Sequence, residues 1–115
     1  MLDPIKLEHF RNLVSLSAAD GNIKDSERIA LSQIAFAREI PLERLNIMLS
    51  KASEYAYLIP QNQKDRETQL GEMIDLALID GELSPAELDL INIVGGKLGF
   101  SQSEIDQIVR NHTKP

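Results

Sequence analysis

The sequence contains no cysteine. That absence excludes disulfides, thiolate metal sites and cysteine redox chemistry together, and it fits a reducing compartment. Tryptophan is missing as well and aromatic residues make up only 4%, so a core has to be assembled from Leu, Ile, Val, Ala and Met. Such a palette suits packed helices better than strands, which favour β-branched and aromatic side chains. Basic residues are scarce beside acidic ones: twelve Lys and Arg face eighteen Asp and Glu, for a formal charge of −6. A chain of that sign is poorly matched to nucleic-acid phosphates or to an anionic membrane surface. No apolar run approaches the ~18 residues needed to span a bilayer. The opening "MLDPIKLEHF" carries no apolar stretch of a secretory signal. These absences predict a soluble, cytoplasmic protein with no nucleic-acid partner and no direct membrane insertion.

What is present reads as one globular domain over residues 1–115, because 43% hydrophobic and 26% charged residues lie outside the disordered range. Pro and Gly punctuate a helical periodicity. A first helix runs from Pro4 to Ala19 with Ile5, Phe10, Leu13 and Val14 on one side, and Asp20-Gly21 ends it. A second starts at Ser26 with Ile29, Ala30, Ile34 and Ala37, and stops before Ile40. Pro41 is placed to open a third as its first helical residue, with Leu42, Leu45, Leu49, Ala52 and Ala56 in steps of three and four and Met48 widening the stripe. Tyr55, Tyr57, Ile47 and Leu58 make that helix apolar on more than one side, as in a central buried helix. Three more helices follow, over Gln63–Ile79, Pro85–Leu98 and Gln102–Asn111. No segment alternates at period two, so no strand is expected.

Residues 13–49 slide onto residues 73–109 without a gap, with Leu16, Asp20, Gly21 and Glu27 falling on Leu76, Asp80, Gly81 and Glu87. Identity is low, but the apolar register holds: Ile34 on Val94, Leu45 on Ile105, Leu49 on Val109. The expectation is an all-α, compact bundle of about six helices, built from two three-helix repeats related by a pseudo-twofold axis. Its core comprises Phe10, Leu13, Val14, Ile34, Leu45, Leu49, Met73, Ile74, Ala77, Ile91, Val94, Ile105 and Val109. Gly95-Gly96 inside the fifth helix costs roughly 1 kcal/mol per Gly against Ala. A tight helix crossing is the simpler reason for the pair, a hinge or partner surface the other, and Ala35 occupies the matching place in the first repeat.

The repeat carries one acidic string twice: "AADGNIKDSE" at Ala18–Glu27 and "LIDGELSPAE" at Leu78–Glu87, both Asp-Gly-x-(Ile/Leu)-x-x-x-Glu. The string matches the second half of an EF-hand loop, but counting back puts Leu16 and Leu76 at the first ligand position and Ala18 and Leu78 at the third. Those side chains cannot hold a hard cation, so an EF-hand is rejected. Helix capping explains the glutamates: Ser84 and Glu87 form a capping box with Pro85 at the first helical position, and Ser101 and Glu104 form another. Lys24 stands where the second copy has Ser84, which breaks the symmetry of the pair. If the two turns meet, Asp20, Glu27, Asp80 and Glu87 could offer four carboxylates to one divalent cation. His9 and His112 lack the spacing of a zinc site and read as surface or helix-end residues. No phosphate loop, nucleophile elbow or redox pair occurs, which leaves hydrolysis by paired carboxylates as a remote alternative.

The twice-written acidic string and the helical hydropathy between its copies, from about Ile5 to Val109, resemble the TerB family, the tellurite-resistance-associated helical domain that also forms the central part of a DjlA-type co-chaperone. The His-Pro-Asp motif and the membrane anchor of that co-chaperone have no counterpart here. The resemblance implies a compact helical bundle linked to bacterial stress response or tellurite tolerance, non-enzymatic and acting by binding protein partners. Its acidic turns direct attention to an interaction face of Asp20, Gly21, Glu27, Asp80, Gly81, Glu82 and Glu87, and to a metal-binding alternative at the same turns.

Overall fold

Six helices account for the secondary structure of the described residues in the computed structural model, which describes residues 3–18, 23–51, 59–78 and 82–113. They are α1 (Pro4–Ser17), α2 (Asp25–Ala37), α3 (Leu42–Ser50), α4 (Gln63–Ala77), α5 (Pro85–Lys97) and α6 (Gln102–Thr113). No strand occurs among these residues, and the all-α bundle expected from composition and periodicity is what forms. The radius of gyration is 13.0 Å, close to the ~13 Å of a compact domain of this length. No helix among the described residues is long and apolar enough to cross a membrane.

Helix starts follow local chemistry. The Asp3 carboxylate accepts from the Ile5 amide, the Asn62 side chain accepts from the Asp65 amide, and Ser84 caps α5. Each satisfies a donor that the first helical turn leaves open. The C-terminal corners of α2 and α5 are built alike. Ile40 N donates to Ala35 O at 2.8 Å and Glu39 N to Phe36 O at 3.3 Å; Phe100 N donates to Gly95 O and Gly99 N to Gly96 O, both at 3.0 Å. This is the Schellman arrangement, with a left-handed residue after the cap and an apolar one beyond it. Glu39 (φ 61) and Gly99 (φ 94) take the left-handed position, and Ile40 and Phe100 tuck into the core.

Packing is centred on α5, which touches α1, α2, α4 and α6; α1 also packs on α4, α3 on α1 and α2, and α6 on α4 and α5. Gly95 makes the α5–α6 approach possible: a Cβ there would lie 2.8 Å from both Cγ1 and Cδ1 of Ile105. The helix-crossing explanation therefore holds for Gly95. It does not extend to Gly96, which is exposed and where an added methyl would meet nothing within 4 Å.

Most of the expected core is buried, while Leu49 and Val109 are only partly so. Leu16, Leu31, Leu70, Leu76, Leu90, Leu98 and Phe100 join it. Several apolar positions read as inward face water instead: Ile5, Ile29, Ala37, Leu42 and Ile47. For Leu42 the reason is the helix start. Pro41 is the cap (φ −59, ψ 140) rather than the first helical residue, so Leu42 occupies the solvated first position. The helix assigned through Ala56 is described to Ser50; Ala52, Tyr55, Ala56, Tyr57 and Leu58 lie outside the described residues.

Candidate functional site

The two acidic strings begin where α1 and α4 end, and each of those ends is held by a cation from elsewhere in the fold. Lys97 Nζ, on α5, donates to Leu16 O at 3.1 Å and Ser17 O at 2.8 Å. Arg38, at the end of α2, donates through Nε to Leu76 O and through Nη2 to Asp75 O, both at 2.9 Å. The last carbonyls of a helix carry partial negative charge and lack intrahelical donors, so a cation there satisfies both needs. Leu16 and Leu76 are core residues, 2% exposed, in keeping with the rejected calcium-loop reading.

The strings finish at α2 and α5, where both glutamates turn back on their own helix. Ser84 N donates to Glu87 Oε1 at 2.8 Å and Glu87 N to Ser84 Oγ at 3.1 Å, completing the box. In the first copy Lys24 N donates to Glu27 Oε1 at 3.1 Å, and no cap side chain returns the bond. Glu27 and Glu87 are 2% and 7% exposed. This corrects their placement on an interaction face, because buried capping carboxylates are not offered to a partner. Glu82 is exposed, as expected of a face residue. Asp20, Gly21, Asp80 and Gly81 lie outside the described residues. Among the described residues no group of three or more His, Asp or Glu side chains is arranged to hold a metal ion. Glu27 Oε2 is nonetheless buried with no hydrogen-bond partner. A desolvated carboxylate oxygen left open in this way is costly, and among the described residues it is the unfilled acceptor at these turns.

A second feature lies on the solvent side of α2. Asp25, Ile29, Ser32 and Phe36 follow one another in steps of four, three and four, a single line along the helix. Phe36 is 88% exposed and Ile29 52%, whereas the other described phenylalanines, Phe10 and Phe100, are buried. Ser84 Oγ donates to Gln33 Oε1 at 2.7 Å, so the end of α2 packs against the start of α5 and the two helices run in opposing directions. That register puts Phe36 at the Glu82 end of the pair and Ile29 level with Leu88 and Asp89. Glu82, Asp89 and Asp25 are all exposed, with Arg28 the basic residue on this stretch of α2.

Periodicity gave no hint of the two histidine pairs. His9 of α1 pairs through Nε2 with Glu72 of α4, and His112 Nδ1 of α6 lies 2.7 Å from Asp75 Oδ1 of the same helix, α4. Glu72 and Asp75 are one turn apart, so α4 collects a histidine from each terminal helix. The partners are far apart in sequence; the usable signal was Gly71, where a Cβ would lie 2.8 Å from His112 Nε2. An open recess of about 280 Å³ adjoins His9, Lys6, Arg38 and Glu72, and another of about 420 Å³ adjoins Lys64, Thr68 and His112. Thr68 Oγ1 in the second donates to Lys64 O at 3.0 Å. These pairs fasten α1 and α6 to α4, with each exposed pair worth about 0–1 kcal/mol. No protein-family model, curated protein or solved structure matches this chain.

Proposed function

We propose that the chain is a non-enzymatic helical interaction module of the TerB-like type, serving a bacterial stress response or tellurite tolerance by binding a protein partner. The observation that carries the interaction reading is the solvent line of α2, where Phe36 stands 88% exposed beside Ile29. Burying a Phe side chain is worth about 1.5–3 kcal/mol, and a chain so poor in aromatics leaves one in water at this point. Large apolar groups rimmed by polar ones are the usual form of a protein-binding surface. The acidic face of this reading runs through Glu82, Asp89 and Asp25 rather than through the buried capping glutamates. Its test is quantitative cross-linking in the host with the parent chain, Phe36→Asp and Glu82→Lys. Loss of the same captured proteins in both variants supports the module. Capture unchanged in both removes it.

A second reading, a divalent-metal sensor or buffer at the Asp-Gly turns, is favoured by the open Glu27 Oε2. Thermal melts with chelator and with Ca²⁺, Mg²⁺, Mn²⁺ or Zn²⁺ decide it, since a ligand at a hundred times its Kd adds about 2.7 kcal/mol. A shift abolished by Glu27→Gln locates the site, and no shift with any ion eliminates it.

A further inference from the structure

The face of α2 and α5 also specifies the chemistry of what covers it. The apolar line of Ile29 and Phe36 is one helix turn wide and two turns long, which matches a helix laid along it rather than a single inserted side chain. Its rim has one sign. Asp25 stands at one end of the line, Asp89 beside its middle and Glu82 at its far end, all exposed, and Arg28 is the cation among them. The chain as a whole carries −6, so the field at this surface attracts cations from beyond the contact itself and repels acidic segments. Near α5 the surface is also low: Gly96 is exposed with open space around it, leaving room for a second helix to approach.

We infer that this face receives a basic amphipathic helix of a partner protein. Two apolar side chains one or two turns apart cover Ile29 and Phe36, while Lys or Arg on the flanks meet Asp25, Glu82 and Asp89. The inference rests on the interaction reading above and adds the sign and shape of the partner. Apolar contact supplies affinity, and the carboxylates supply orientation and selection against acidic helices.

The test uses the full chain, isotope-labelled, and three synthetic peptides. One has leucines at i, i+3, i+4 and i+7 with lysine at the other polar positions; the second replaces every lysine by glutamate; the third keeps the lysines and scrambles the leucines. The lysine peptide is expected to shift amides of α2 and of the start of α5, and to bind about tenfold more tightly than the glutamate peptide at low salt. Raising the salt should narrow that difference. Phe36→Ala, which keeps every charge, and Asp89→Lys, which keeps every apolar group, should each weaken binding severalfold. Both sites are exposed, so folding is not at stake. Equal or tighter binding of the glutamate peptide overturns the charge assignment while leaving an interaction surface in place. Shifts elsewhere on the chain, equal binding of the scrambled peptide, or no binding of any peptide overturn the assignment of this face. A concentration-dependent dimer abolished by Phe36→Ala gives the face to a second copy of the chain instead.

Discussion

Residues 13–49 and 73–109 reach the same local geometry with different side chains, and the differences show which contacts the geometry requires. At the end of α1 the cation is Lys97 and at the end of α4 it is Arg38, donated from places that do not correspond in the two halves. What is shared is the need to satisfy the carbonyls of Leu16 and Leu76, not the residue that does so. At the starts of α2 and α5 the glutamate is shared and the cap is not: Ser84 closes its box and Lys24 leaves it half made. At the ends of those helices the backbone bonds are the same, yet one left-handed position is Gly99 and the other Glu39. The second half is the better satisfied at each start and corner. It also supplies α5, which touches four of the other helices.

Swapping residues between the halves sharpens this comparison. The largest effect is expected where α5 meets α6. Gly95→Ala drives a methyl into Ile105 at 2.8 Å and should destabilise by about 1–3 kcal/mol, lowering the melting temperature by several degrees. The reverse change, Ala35→Gly, meets no such clash and should cost about 1 kcal/mol through helix propensity alone. At the corners, Gly99→Ala forces a Cβ into φ 94 beside Arg66 and should cost about 1 kcal/mol, with Glu39→Gly gaining a similar amount. Chemical denaturation of the four variants separates these values. At the helix starts, Ser84→Ala should lose about 1 kcal/mol and Lys24→Ser should gain about 0.5 kcal/mol by supplying the missing half of the box.

The smallest effect concerns α6, whose exposed Glu104 is held below the usual carboxylate range, first by the backbone amide of Ser101 and then by its hydroxyl. A carboxyl whose folded pKa is depressed gives stability that is full above its unfolded pKa and is lost as pH falls through the folded one. Glu104→Gln should flatten that part of the acid limb in a pH series of melts and leave neutral stability almost unchanged.

Much of this architecture was legible because it is local. The Ser84–Glu87 and Ser101–Glu104 boxes follow from three-residue spacings, and both form as their residues imply. The alignment of residues 13–49 with 73–109 likewise anticipated that α2 and α5 would start and stop at matching positions. What stayed hidden depends on orientation in space. The α2 periodicity could not tell that Ile29 lies on the outer edge of its helix while Ala30 and Ile34 point inward. The burial of Glu27 and Glu87 was equally hidden, because a capping carboxylate can be exposed or covered with the same sequence. The histidine pairs on α4 join residues 37 or more positions apart, and no spacing rule reaches across that distance.

The crossed cations have a consequence for how the molecule comes apart. Lys97 belongs to the second half and closes a helix of the first, and Arg38 belongs to the first and closes a helix of the second. Neither three-helix piece taken alone can finish its own opening helix. Loosening one half therefore uncovers carbonyls in the other, and the halves are bound to melt as one cooperative unit rather than as two beads on a string.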